Sequence, residues 1–239
     1  MRYLIRFSYD GTLFHGFQRQ KNVKNVQGLL EQTLSGYFGQ DILIKGSGRT
    51  DAGVHAKCQC AHFDISKKVT WKDIKCINKI LNGEIVINNL KLVDNNFHAR
   101  HDVKKKTYVY KINVGKYKSN YEGYYYQIKY DLDIKKMREA SKIFVGVHDY
   151  RNFVSGYRDD YESVIYNIKI SKFGNILTFK FVGAGFYRYM VRHLVGALVD
   201  VGKGKVDINT IYGMIDNKEF TKKLCVVPAC GLYLTDIKY

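Results

Sequence analysis

The sequence predicts an α+β fold of two similar halves, residues 1–103 and 104–239, each a split β-α-β unit of the ferredoxin-like kind, sharing a mixed, mainly antiparallel sheet. Three observations predict it. Runs of alternating side chains and stretches of helical spacing follow one another as β-α-β-β-α-β over the first 93 residues. The theme returns loosely after a polar, basic seam, HARHDVKKKT at 98–107. A single proline and no low-complexity segment leave no flexible linker.

The first strand is placed at 2–9, where Tyr3, Ile5 and Phe7 alternate with Leu4 and Arg6. A helix at about 26–38 follows from Val26, Leu29, Leu30, Leu34, Tyr37 and Phe38, with Asn25 to cap its start and Gly39 to close its end. Residues 42–45 (ILIK) read as a strand entering a loop, Gly46 to Ala56, and 57–64 as a strand leaving it. Thr70 caps a second helix at about 71–81, Gly83 stops it, and a strand at 85–93 completes the unit. The second half has strands near 107–114, 163–171, 176–183 and 231–237, helices near 133–145, 186–201 and 207–216, and a hairpin turn at FGN, 173–175.

Composition bounds the function. At 239 residues the chain can bury a large core, no apolar run nears the roughly 20 residues of a bilayer crossing, and the start MRYLIRFSYD has no signal-peptide core. Five cysteines, an odd number, argue against a disulfide framework and for a reducing, cytoplasmic setting. Lys and Arg number 39 against 22 Asp and Glu, a formal charge of +17, which favours a polyanionic partner and nucleic acid first. AT-rich codon usage accounts for the choice of 29 Lys over 10 Arg better than for the charge itself.

The most informative stretch is GSGRTDAGVHA, Gly46 to Ala56. Glycines at 46, 48 and 53 permit close approach of something large. In an extended stretch Arg49 and Asp51 share a face, so the guanidinium is expected to hold the carboxylate ionised, ready to serve as nucleophile, general base or metal ligand. An Asp capping a turn beside its own Arg is the plain alternative.

GRTDAGVHA resembles the catalytic signature of the tRNA pseudouridine synthase A family, and ordered companions extend the resemblance over nearly the whole chain: SYDGTLFHGFQRQ (8–20), NVQGLLEQTL (25–34), FHAR (97–100) with KKKTYVY (104–110), HDYRNF (148–153), MVRHLVG (190–196) and GLYL (231–234). The resemblance implies the pseudouridine synthase fold, with ferredoxin/RRM-like halves and an RNA groove. It implies isomerisation of uridine to pseudouridine at positions 38, 39 and 40 of the tRNA anticodon stem-loop, without cofactor or metal, by a homodimer. Asp51 would open the sugar-base bond of a flipped-out uridine, whether it attacks C1′, attacks the ring or removes a sugar proton. Arg49 would help extrude the base and fill its place, Tyr108 would stack on the uracil, and Arg192 would pair with the catalytic Asp. Lys104, Lys105 and Lys106 are expected at phosphates, with Gln18 and Arg188 as further substrate contacts. The chain departs from the family's pattern in GAGFYRY, at Ala184, Tyr187, Arg188 and Tyr189, and before VIYNI, where Ser163 or its neighbour stands in the place of a usual arginine. Both bear on the pocket wall and substrate range.

Other constellations are weaker. His55, Cys58, Cys60 and His62 lie close together but lack the Cys-x2-Cys pairs of a structural zinc site. Ser47, Asp51 and His55 lack a nucleophile elbow. Most of the 20 tyrosines read as packing residues. Two alternatives stand beside the main reading: the same chemistry on another RNA, and a non-catalytic RNA-binding or tRNA-folding protein. The intact GRTDAG loop separates the second from the first.

Overall fold

The computed structural model describes residues 1–216 and 225–239. In chain order its elements are β1 (Arg2–Tyr9), α1 (Val26–Phe38), β2 (Lys45–Gly46), β3 (His55–Asp64), α2 (Trp71–Ile80), β4 (Ile85–Val93), β5 (Lys105–Asn113), β6 (Tyr126–Gln127), α3 (Ile134–Ser141), β7 (Gly146–Asp149), β8 (Glu162–Phe173), β9 (Ile176–Gly183), α4 (Met190–Gly202), α5 (Ile208–Asp216) and β10 (Leu232–Lys238). They form two compact units, Met1–Lys104 with Tyr233–Tyr239, and Lys105–Leu232. Both are α+β, as the sequence predicts. No helix of the described residues is long and apolar enough to cross a membrane.

In the first unit β1 lies between β4 and β3 and is antiparallel to both, with Ile5 opposite Leu90 and Ala61. The far edge of β3 is shared. β2 pairs antiparallel with its C-terminal end (Lys45 with His62), and β10 pairs parallel with its N-terminal end (Tyr233 with His55). The result is the split β-α-β order, in a mixed, mainly antiparallel sheet. The helices form where their caps predict. Asn25 accepts from the Gly28 N–H, Gly39 closes α1 in the left-handed region, and Thr70 and Asp73 make a reciprocal capping box on α2. α1 buries Val26, Leu30, Leu34 and Phe38, one stripe at i, i+4 spacing, and α2 buries Ile74 and Ile77, above the sheet residues Ile5, Phe7, Phe63 and Ile87.

The second unit runs β5-β9-β8-β7, every neighbour antiparallel, with β6 parallel to β5. Its succession β5-α3-β8-β9-α4 repeats that of β1-α1-β2-β3-α2, with the same strand order. The FGN turn is present, with Gly174 at φ 54°. α3 approaches α4 so closely that a Cβ on Gly202 would lie 2.6 Å from the Met137 sulfur.

Several elements differ from expectation, among them the two-residue β6, which was not read from the sequence. Ile42 and Ile44 are buried, but residues 42–44 form no strand, because side chains of α1 occupy the backbone donors: Ser35 Oγ accepts the Ile42 N–H at 2.9 Å and Glu31 Oε1 accepts the Ile44 N–H at 3.0 Å. The helix expected from 186 begins only at Met190, since Tyr189 has φ 61°, a left-handed conformation no helix interior tolerates. Arg188 therefore precedes the helix and is not one turn before Arg192 on it. The strand β7 was not read from the sequence, its four residues GVHD carrying almost no apolar alternation.

The buried His62 on β3 ties the sheet to the FHAR turn by accepting the Ala99 N–H at Nδ1, 3.1 Å away. Burial, then the positive Arg2 and His98, push its pKa from 6.5 down to about 4. The folded chain resists the proton while the unfolded chain accepts it near 6.5, so the stability carried by neutral His62 is complete above that pH and is lost as pH falls toward 4. NMR titration should place the His62 midpoint near 4, and thermal melts should lose more stability over this window in wild type than in His62→Gln, which accepts without titrating. A midpoint near 6.5 overturns this account.

Candidate functional site

The Gly46–Ala56 loop joins β2 to β3 and is fastened from beneath by buried polar groups. Ser47, fully buried, donates its N–H to the Cys60 carbonyl (2.8 Å) and its hydroxyl to Gln59 Oε1 (2.7 Å). The Gln59 amide donates to the Gly48 carbonyl at 3.2 Å. The Thr50 hydroxyl meets the Tyr9 hydroxyl at 2.7 Å, and its carbonyl accepts the Phe17 N–H at 3.0 Å. His55 accepts the Gly11 N–H at Nδ1 (3.0 Å) and stacks on Tyr233, ring centres 4.6 Å apart. These ties span both ends of the loop and leave its middle to Asp51.

Asp51 opens a turn. Its carbonyl accepts the Val54 N–H at 3.2 Å, and Gly53 sits at φ 78°, a position that favours glycine. The half-buried carboxylate therefore projects from a fixed bend rather than from an extended run. Strand alternation does not apply across a bend, and the expected Arg49–Asp51 pair does not form: among the described residues Arg49 enters no ion pair, while Asp51 has partners of its own. Arg49 instead lines an adjoining groove with Gln18 and Gly48. Nor does Gly46 clear space for a ligand, since a Cβ there would lie 2.5 Å from the Phe17 ring of the same chain.

Segment 10–18 lies directly under the loop. A Cβ on Gly11 would come within 2.4 Å of the Val54 carbonyl oxygen, and one on Gly16 within 2.9 Å of the Thr50 carbonyl oxygen. Of these supporting residues, Tyr9, Gly11 and Gln59 were not singled out from the sequence, and Ser47 was weighed only as a nucleophile, not as a support for the loop. The one local signal was a glutamine between two cysteines in the largely buried run CQCAHF.

The remaining candidates lie on the second unit, apart from Lys104, whose N–H donates to the Lys238 carbonyl at 2.8 Å. Tyr108, 8% exposed, stands on β5 opposite Phe181 with Phe186 edge-on at 5.2 Å. Lys105 is exposed and Lys106 half-buried at the start of the same strand. Arg192, in the first turn of α4, donates from Nε to the Val227 carbonyl at 2.8 Å and places its guanidinium 4.5 Å from the Tyr189 ring centre. Arg188 approaches the same ring at 5.0 Å. Tyr189 thus orients both arginines, and its left-handed backbone is the means. This is the local role of two of the residues that depart from the family's pattern. Ser163, another departure, donates its hydroxyl to the Gly185 carbonyl at 3.0 Å.

The His-Cys cluster is already engaged within the fold: the Nδ1 atoms of both His55 and His62 accept backbone N–H groups. Among the described residues no group of three or more His, Cys, Asp or Glu could hold a metal ion.

A family model described as tRNA pseudouridine synthase matches residues 5–102 and 140–239. Proteins named tRNA pseudouridine synthase A are similar along the whole chain. The one from Lactobacillus helveticus is 37% identical over 246 residues, 94% of its length, and that from Limosilactobacillus reuteri 38% over 250 residues, 96% of its length. The Mycoplasma genitalium protein is 37% identical over 242 residues, 98% of its length. Of solved structures, one chain of a Cbf5-Nop10-Gar1 complex is similar at 12% identity and a TM-score of 0.36, over 72% of this chain and 40% of that one.

Two glycines separate close packing from helix propensity. Gly11→Ala drives a methyl into the Val54 carbonyl and should destabilise by about 1–3 kcal/mol. Gly36→Ala, on the exposed face of α1 with nothing within 4 Å, should stabilise by about 0.5–1 kcal/mol. Urea denaturation of the two variants reads the contrast directly; equal effects would mean that segment 10–18 does not support the loop.

Proposed function

The chain belongs to the tRNA pseudouridine synthase family, and from that premise we propose that it modifies uridines 38, 39 and 40 in the anticodon stem-loop of tRNA, with Asp51 as the essential group. It is an isomerase that makes pseudouridine. The reaction conserves atoms. The N1–C1′ bond breaks, the uracil turns, C5 bonds to C1′, the C5 hydrogen leaves as a proton and N1 regains one. A carboxylate suits this as nucleophile toward C1′ or the ring, or as base toward a sugar proton. No outside oxidant, reductant or group donor is required.

The observation that carries the reading is the construction of the loop: a carboxylate at the first residue of a bend whose flanks are locked by Ser47, Thr50 and His55. Fixed placement of a reacting group is worth more to catalysis than its mere presence. A protein that only bound RNA would gain nothing from such a bend. We assign Tyr108 the face that stacks on the extruded uracil, Arg49 the gap the base leaves, and Arg192 the counter-charge that keeps Asp51 ionised once the base excludes water. Lys104, Lys105, Lys106, Arg188 and Gln18 are assigned to the RNA around it. Tyr108 and Lys104–Lys106 lie outside the ranges matched by the family model, so their assignment rests on the resemblance of KKKTYVY to the family's pattern.

Single-turnover rates at saturating enzyme, with sites mapped on tRNA, test these roles. Asp51→Asn should lose all but about 1% of the rate or less, several kcal/mol of barrier, while tRNA affinity stays within a few-fold. Arg192→Met should slow the chemical step far more than Lys105→Ala, which should instead lower the salt slope of binding by about one. Substantial turnover by Asp51→Asn rejects the essential acid, and modification at other positions rejects the anticodon-arm target.

The working form is taken to be a cytoplasmic homodimer, which doubles the formal charge of +17 available to one tRNA. Light scattering should return twice 27.7 kDa; a single-chain mass would exclude the dimer.

A further inference from the structure

Beside the Asp51 loop, within the first unit, lies a groove of about 320 Å3 lined by Gln18, Lys45, Arg49, His98, Arg100 and His101. No Asp or Glu lines it. Acids near it are engaged elsewhere: Glu31 with Arg19 at 3.0 Å, Asp64 with Arg2 at 2.8 Å, and Asp102 with the His98 N–H at 2.9 Å. Among the described residues, Lys45, Arg49 and Arg100 enter no ion pair. Three permanent cations thus share one concave wall, an arrangement that costs repulsion unless an anion occupies it.

The wall is also held in shape. His98 Nδ1 accepts the N–H groups of Arg100 (3.1 Å) and His101 (3.4 Å), and the His101 N–H also reaches the His98 carbonyl (3.1 Å), so residues 98–102 form one fixed turn. Burial first, then the positive charge of His101, Arg2 and Lys45, lowers the His98 pKa, a sign of how positive this corner is. Lys45 enters from β2, whose pairing with His62 sets its position. Arg49 and Gly48 belong both to the groove and to the Asp51 loop, so a group seated here is covalently within reach of one presented to Asp51.

We propose that this groove is a phosphodiester clamp, in which Lys45 and Arg100, with His101 at the rim, hold an RNA backbone phosphate next to the uridine presented to Asp51. The inference rests on the reading of Asp51 as the group that acts on RNA. Arg100 supplies a planar fork suited to two phosphate oxygens and Lys45 a point charge. An acidic protein segment would meet the same charges, but the groove's shared wall with the catalytic loop favours the substrate's own backbone.

The test measures tRNA affinity against salt for wild type, Lys45→Gln/Arg100→Gln and the charge-preserving Lys45→Arg/Arg100→Lys, with melting curves for each. Losing the clamped phosphate should reduce the slope of log K against log salt by about 0.7–0.9 and weaken binding several-fold, while the charge-preserving pair keeps the slope. A scan of neutral methylphosphonate linkages around the target uridine should find one whose cost to wild type is absent in the double Gln variant. If that variant does not fold, wild type alone decides, since one flanking linkage must then lower the slope by about 0.7–0.9 when neutralised. An unchanged slope, or no such linkage, overturns the clamp. Wild type that binds tRNA but forms no pseudouridine would instead overturn the reading of Asp51, with the slope still reporting on the groove.

Discussion

A carboxylate that must meet a substrate cannot be held by burying it, so its position has to be imposed through the backbone around it. Here the imposition comes from buried polar side chains that tie the loop to its surroundings: Gln59 to the Ser47 hydroxyl and the Gly48 carbonyl, Tyr9 to the Thr50 hydroxyl, and His55, within the loop, to the Gly11 N–H. Each is costly if left half-made, because a buried donor or acceptor without a partner loses about 1–3 kcal/mol. That cost is what makes the bend definite. Any shift of the loop breaks several of these bonds together, so it has one low-energy position rather than a range.

The sheet is built to supply these anchors. β3 carries Gln59 and His55 inward, and its outer edge is divided between β2, which leads into the loop, and β10, whose Tyr233 stacks on His55. β1 ends in Tyr9 and hands the chain directly to Gly11 and Gly16, which pass beneath the bend at distances only glycine allows. The split β-α-β order therefore does more than close a core. It brings the end of the first strand and the start of the third to the same end of the sheet, which is where the loop needs support.

The parts of this arrangement with local causes were legible in the sequence. Asn25, Gly39 and Thr70 mark helix ends by hydrogen bonds and conformations confined to a few residues, and Gly174 marks its hairpin in the same way. The loop itself was legible as a motif. What was not legible depends on partners distant in the chain. ILIK reads as a strand, yet Ser35 and Glu31 take the backbone donors of Ile42 and Ile44 before a neighbouring strand can. GAGFYRY reads as the start of a helix, yet Tyr189 leaves the helical region and brings its ring between two guanidiniums. The Arg49–Asp51 pairing failed for a related reason, since alternation assumes an extended chain and the Asp51–Val54 hydrogen bond bends it.

Charge gives the last link between fold and chemistry. A formal charge of +17 says that a polyanion is favoured but not where it would sit, because screening confines each charge's influence to about 8–10 Å at ordinary salt. Location follows from how the acids are spent. Asp64, Glu31, Asp149 and Asp133 lie against Arg2, Arg19, Arg151 and Lys136, where they fix a strand end, a helix flank, a turn and a helix start. Acids used in this way are not available to neutralise Lys45, Arg49 and Arg100. The positive excess accordingly survives on the wall next to Asp51, where the proposed phosphate would meet it. One distribution of acids thus serves two ends: it stabilises the scaffold where the chain needs pinning, and it leaves the wall beside Asp51 positive.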